Sequence, residues 1–147
     1  MIIISACLIG DNCKYNAGNN WHEVAEKLNN LGLVIPVCPE QLGGLPTPRY
    51  PAEIIDGKII SQVGVDVTKE YKLGAELTLQ KALDNGVKLA ILQARSPSCG
   101  SKVIYDGTFT GKLIKGQGVT AQLLKKHGIK VITIDDFMSG DYEKYLK

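Results

Sequence analysis

Three of the four cysteines in this chain fall just after runs that read as buried strands. Cys7 follows Ile2-Ile3-Ile4-Ser5-Ala6, Cys38 follows Leu33-Val34-Ile35-Pro36-Val37, and Cys99 follows Leu89-Ala90-Ile91-Leu92 after a short loop. In an open α/β sheet the carboxyl ends of parallel strands line one edge, and that edge is where such folds bind ligands. The placement predicts that Cys7, Cys38 and Cys99 converge into a three-thiolate cradle. The spacings match no zinc ribbon, bacterial ferredoxin run or thioredoxin motif, so spacing alone names no particular metal. One such cysteine would read as a small buried hydrophobe. Three of them in Gly- and Pro-rich loops, each near a polar residue, point to a shared metal or cluster. Cys13 stays open between a fourth ligand, a stand-by thiol and a loop residue.

Proton-handling groups stand close to these thiols. Glu40, two residues past Cys38, can activate water and shuttle protons, or can serve as a carboxylate at a helix N-terminus or loop. Ser96, three residues before Cys99, can donate to a ring nitrogen or relay a proton, although Ser-Pro also commonly starts a turn. Arg49 reads either as an anchor for a substrate carbonyl or phosphate, or as a structural partner of Asp66 or Asp11. Asp66 precedes a helix and reads as a cap with a weaker claim on substrate. Arg95 and Lys102 flank the third cysteine and either balance a negative cluster or are solvated. His22 and His127 sit at helix ends and carry no chemical signal. Gly43-Gly44 lacks the Lys-Ser/Thr ending of a phosphate-binding loop, so nucleotide hydrolysis is unsupported.

The bulk of the chain sets limits on this chemistry. At 147 residues it is expected to form one domain, 1–147, with a core that needs no disulfide staples. A formal net charge of +2 is too small for a nucleic-acid coat, and no apolar run approaches the roughly 20 residues that span a bilayer. The opening residues lack the basic and long apolar regions of a secretory signal. A cytoplasmic location is therefore expected. There thiols stay reduced, and four cysteines favour metal binding or catalysis over a disulfide framework.

The elements that must position these residues alternate between strand and helix. Strands are expected over Ile2–Ala6, Leu33–Val37, Val87–Leu92 and Ile129–Ile134. Helices are expected over Trp21–Asn30, with Asn20 as N-cap, over Lys69–Asn85, with its apolar face at Leu73, Leu77 and Leu79 to Leu83, and over Thr120–His127. Cys38 to Ile54 holds four prolines and reads as irregular. Asp56-Gly57 reads as the turn between two short extended pieces, and Tyr105–Gly111 as a second hairpin turn. This order argues for an α/β, Rossmann-like three-layer fold with a mainly parallel sheet and the cysteines in loops at strand C-terminal ends.

Taken together, the motifs resemble the thiouracil desulfidase family, small proteins long catalogued only as a domain of unknown function. The resemblance rests on the Cys7-Leu8-x-Gly10-x-x-Cys13 opening, the Cys38-Pro39-Glu40 to Pro48-Arg49 block, Asp66-Val67-Thr68, Ser96-Pro97-Ser98-Cys99-Gly100, and Gly116-x-Gly118-Val119-Thr120. Lys14 and Asn16 stand where the family more often has Arg and Asp. The resemblance implies a 4Fe-4S cluster held by Cys7, Cys38 and Cys99, with one iron not ligated by protein and Cys13 outside the ligand set. It implies catalytic roles for Glu40 and Ser96, and non-redox desulfuration of a small thiolated pyrimidine (2-thiouracil, 4-thiouracil or their nucleosides). Tight nucleic-acid binding is not expected. Two other readings compete: a zinc hydrolase using the same cysteines, and a non-catalytic domain ordered by metal.

Overall fold

The structure, a computed structural model, describes residues 1–140. Its centre is a four-stranded, all-parallel sheet in the order β2-β1-β5-β8. These strands are Ile2–Ser5 (β1), Val34–Val37 (β2), Leu89–Ile91 (β5) and Lys130–Ile132 (β8). Central parallel strands are covered on both faces, which is why β1 and β5 read as unbroken apolar runs. Alternate residues sort to opposite sides: Ile2 and Ile4 pack with Ala25, Leu28 and Phe137, whereas Ile3 and Ala90 pack with Ala82, Ala121 and Leu124. Helices α1 (Glu23–Asn30) and α5 (Ile134–Ser139) thus cover one face, and α3 (Thr68–Asp84) and α4 (Val119–Lys126) the other. The result is the expected three-layer α/β arrangement. Two antiparallel hairpins complete it: β3 (Ala52–Ile55) with β4 (Lys58–Ser61), and β6 (Val103–Tyr105) with β7 (Leu113–Lys115).

Several local expectations are corrected. The first strand stops at Ser5, and Ala6–Ile9 forms a single 3-10 turn that carries Cys7 and ends on Gly10 at φ 101. Helix α1 is capped by His22, not Asn20: the His22 Nδ1 accepts from the Val24 N–H at 3.1 Å. The stretch after Cys38 is not wholly irregular, because Pro39–Leu42 forms a one-turn helix, α2, with Cys38 as N-cap and proline in its first turn. The last strand ends at Ile132. Thr133 and Asp136 then form a capping box that starts α5.

The buried face of α3 also differs from expectation. Tyr71, Gly74, Ala75, Thr78 and Ala82 face inward, while Leu73, Leu77 and Leu83 are exposed. Small residues occupy the interface because α3 meets α2 backbone to backbone. A Cβ on Gly74 would lie 1.8 Å from the Pro39 carbonyl oxygen, and one on Gly43 1.9 Å from that of Glu70. Two glycines therefore permit the contact that fixes the Cys38–Glu40 turn.

Candidate metal centre and active site

From β1 the chain passes outward to β2, then returns to β5 on the other side of β1. The crevice beyond β1 and β5 is thus a topological switch point, where open α/β sheets bind ligands. A cavity of about 760 Å³ opens there, and all four cysteines line it. None forms a disulfide; Cys7, Cys13 and Cys99 are buried and Cys38 is partly so. Glu40, Ser96, Arg49 and Arg95 also line this cavity.

Each thiol is delivered by a different device. Cys7 sits in the 3-10 turn, whose carbonyl accepts from the Asn20 N–H at 2.9 Å, and the Asn20 amide lies 3.8 Å from its sulfur. Asn20 is in turn held by Lys14 Nζ at 3.1 Å, while Asn16 accepts from the Gly18 N–H at 2.9 Å. Cys38 leaves β2 and donates toward the Cys13 carbonyl at 3.7 Å. Cys99 follows β5: Ser5 accepts from the Gln93 N–H at 2.8 Å and points its hydroxyl at the Cys99 sulfur, 3.8 Å away.

The Cys99 loop is clamped by the segment before α4. Gly118, Val119 and Thr120 donate backbone N–H groups to the carbonyls of Gly100, Pro97 and Ser98 at 2.7, 2.9 and 2.8 Å. Beneath them the fully buried hydroxyls of Ser98 and Thr120 share a 2.7 Å hydrogen bond. Gly118 has no room for a side chain, since a Cβ would stand 2.4 Å from the Ser98 carbonyl carbon. The Gly116-x-Gly118-Val119-Thr120 motif therefore braces the Cys99 turn.

Glu40 and Arg49 form the second assembly. Glu40 Oε1 accepts from Arg49 Nε at 3.0 Å and from the Tyr71 hydroxyl at 2.7 Å. Arg49 also donates to the Pro46 carbonyl, the Thr47 hydroxyl and the Cys13 carbonyl, at 3.1, 2.9 and 2.9 Å. Its carboxylate partner is thus Glu40 rather than Asp66 or Asp11, and Arg49 also lines the cavity. Asp66 is not brought to the site. It lies exposed on the turn before α3, accepting from the Thr68 N–H at 2.9 Å. The Asp66-Val67-Thr68 motif serves α3: Val67 N–H bonds the Ile59 carbonyl and Thr68 accepts from the Ile59 N–H. Of the flanking cations, Lys102 pairs with Asp136 at 2.8 Å.

Tyr71 escaped the sequence reading, because a tyrosine on an amphipathic helix looks like core. Burial first, and then the neighbouring Glu40 charge, push its phenol well above the usual tyrosine range, so it stays a proton donor to Glu40. Ser96 is the turn residue its Ser-Pro context suggested, for its oxygen accepts from the Cys99 N–H at 2.7 Å. That bond uses one lone pair and leaves the hydroxyl proton free to donate.

The electrostatics suit a cationic soft-metal group. Burial, and then Glu40, push the Cys99 thiol up to about 12. Contact with Cys13 and burial raise Cys38. For Cys13, contact with Cys38 lowers the value, but contact with Cys7 and burial outweigh it and carry the thiol up to about 11. Soft thiolates freed of protons by a bound metal are the donor set of iron–sulfur groups. Among the described residues no three His, Cys, Asp or Glu side chains gather tightly enough to hold one metal ion. Four thiols round one cavity, with Cys13 in contact with both Cys7 and Cys38, are a donor set that fits a soft-metal or iron–sulfur group.

Comparison with known proteins agrees with this geometry. The profile of the 2-thiouracil desulfurase family matches residues 2–136. The uncharacterized protein YbbK of Bacillus subtilis (strain 168) is 46% identical, over 90% of this chain and 95% of that protein. Among solved structures, a [4Fe-4S]-dependent thiouracil desulfidase, TudS, superposes with a TM-score of 0.89 at 42% identity, covering 93% of this chain and 92% of that one.

Proposed function

This chain belongs to the 2-thiouracil desulfurase family, and we propose that it hydrolyses the C=S bond of 2-thiouracil, 4-thiouracil or their nucleosides, acting as one cytoplasmic domain over residues 1–147. The observation that carries this reading is the meeting of Cys7, Cys38 and Cys99 with Glu40 and Ser96 in one cavity at the β1/β5 switch point. In the proposal those three thiolates hold a 4Fe-4S cluster with one iron free of protein ligands, and Cys13 stands beside them. When bound, such a cluster supplies an open, soft Lewis-acid position for a thiocarbonyl sulfur.

The remaining chemistry belongs to the chain. Glu40 takes a proton from water as the water oxygen bonds to the thiocarbonyl carbon. Tyr71 and Arg49 both hold Oε1, so the carboxylate is fixed while Oε2, which accepts no hydrogen bond among the described residues, is left for water. Ser96 donates a hydrogen bond to a ring nitrogen or exocyclic oxygen of the pyrimidine and keeps its proton. The C–S bond then breaks and sulfide departs with protons passed through Glu40. Thiouracil and water give uracil and hydrogen sulfide, and no electrons are transferred.

The weak net charge of +2 supports a small substrate over tight binding to nucleic acid. No helix among the described residues is long and apolar enough to cross a membrane. The test is turnover of thiouracil by anaerobically reconstituted protein, with sulfide and uracil released in equal amounts. Glu40→Gln is expected to keep the cluster and lose most turnover; unchanged turnover would remove Glu40 from the mechanism.

A further inference from the structure

The hairpin β6–β7 does more than cover an edge. Its connecting loop, residues 106–112, reaches the cavity, where Tyr105, Phe109 and Gly111 join Glu53 of β3 on the wall. Glu53 is 8% exposed, and its Oε1 accepts the backbone N–H groups of Gly107 at 2.9 Å and Phe109 at 3.2 Å. A buried carboxylate rarely persists without such paired donors. The loop tip is thereby tied to a distant strand.

Phe109 itself has φ 57, in the left-handed region that bulky side chains seldom occupy. Gly107 and Gly111 take positive φ in the same loop without strain, at φ 94 and φ 82. A glycine at position 109 would relieve the backbone, yet a phenylalanine stands there. Its ring belongs to none of the buried core clusters. It lies on the cavity wall instead.

We propose that Phe109 is the stacking surface for the planar pyrimidine ring, and that Glu53 is a positioning residue that holds Phe109 there through the loop backbone. This rests on the desulfidase reading and adds the residue that favours a flat heterocycle over other thiocarbonyl compounds. The polar groups near the thiols can address C=S and ring nitrogens, but a pyrimidine also has two π faces that need a flat apolar partner.

The experiment compares wild-type holoenzyme with Phe109→Ala, Phe109→Leu, Phe109→Tyr, Glu53→Ala and Glu53→Gln. It reads thiouracil kinetics, uracil affinity by calorimetry and melting temperature. Phe109→Ala is expected to raise KM and the uracil Kd by about tenfold, as loss of base–aromatic stacking does, with kcat within about twofold. Phe109→Tyr, which keeps the ring, restores most of the affinity, and Phe109→Leu, which keeps only bulk, does not. Glu53→Ala shifts KM in the same direction, and Glu53→Gln, whose amide oxygen can still accept both N–H groups, rescues it. KM and uracil Kd unchanged in Phe109→Ala, or full rescue by Phe109→Leu, would overturn the stacking role while wild-type turnover keeps the desulfidase reading intact. Wild-type holoenzyme that neither binds uracil nor converts thiouracil would overturn both.

Discussion

The exits of β5 and β2 deliver Cys99 and Cys38 to the same cavity, and they differ in what is added to the backbone contacts that hold them. At the β5 exit the work is done by backbone: three N–H groups from Gly118, Val119 and Thr120, and a neutral Ser98–Thr120 hydroxyl pair sealed from water. The β2 exit also has a close backbone contact, through Gly43 and Gly74, and adds to it one charged side chain, since Arg49 holds both Glu40 and the Cys13 carbonyl. A backbone clamp is indifferent to salt and pH but intolerant of added volume. A guanidinium hub tolerates some movement, but it couples its partners. Arg49 therefore links the Glu40 carboxylate to the Cys13 wall of the cavity, whereas the Cys99 turn is held by backbone bonds. In the proposed function, one side of the site supplies a ligand on a backbone clamp, and the other a ligand beside the proposed proton-handling Glu40.

The sharpest way to break this contrast is Gly118→Ala. At φ −69 any residue fits the backbone, so the obstacle is steric: the new Cβ would stand 2.4 and 2.5 Å from the Ser98 carbonyl carbon and oxygen and 2.9 Å from the Cys99 nitrogen. The expected cost is about 3 kcal/mol, a fall in Tm of roughly 8 °C, with loss of bound iron. Melting curves and iron assays check it, and a silent Gly118→Ala would mean that the clamp is slack.

Arg49→Ala should cost less stability, about 2 kcal/mol, by stranding Glu40 and the Cys13 carbonyl in a mostly buried position. Turnover should fall further than cluster content. Arg49→Lys should recover only part of either, because an ammonium cannot reproduce the planar fork. Equal losses of iron and activity would show that Arg49 serves the cradle alone.

Tyr71→Phe removes one of the two donors to Glu40 and leaves the packing in place. About 1 kcal/mol of stability and a several-fold loss of turnover are expected, read by denaturant titration and steady-state kinetics. Iron content should not change.

The smallest effect belongs to a charged contact outside both exits. Lys102 first, with Thr133 adding to it against partial burial, holds the Asp136 carboxyl below its usual value of 3.8. A lowered folded pKa gives stability that is present above the ordinary carboxylate pKa and is lost as pH falls through the folded value. Asp136→Asn should cost under about 0.5 kcal/mol at pH 7 and flatten the acid limb of stability below pH ~4. Unfolding titrations at several pH values would measure this.

The sequence was legible where one residue's surroundings decide the outcome. Ile2-Ile3-Ile4 and Leu89-Ala90-Ile91 could only be strands covered on both faces, and strand exits in a parallel sheet share an edge, so the gathering of Cys7, Cys38 and Cys99 could be read before any coordinates. Contacts between distant elements were hidden. Helix α2 is one turn long and depends on Gly43 and Gly74 letting two backbones meet. Nothing local links Tyr71 to Glu40, 31 residues away, or Glu53 to Phe109, 56 residues away. The exposed Leu73 and Leu77 misled because leucines usually mark a helix's buried stripe; here close approach demanded small residues. One cue was present and unused, the capping box Thr133-x-x-Asp136, while the helix N-terminal reading of Glu40 did fit Cys38-Pro39-Glu40, with proline and an acid in the first turn of α2.

In the proposed function three thiolates from three strand exits hold one iron–sulfur cluster, and Cys13 is not among them. Iron and acid-labile sulfide per chain, counted after anaerobic reconstitution of wild type and of the four single Cys→Ser variants, test it most directly. The account predicts roughly four of each in wild type and in Cys13→Ser, and their loss in Cys7→Ser, Cys38→Ser and Cys99→Ser. Zinc without sulfide in wild type, or retention in Cys7→Ser with loss in Cys13→Ser, would contradict it.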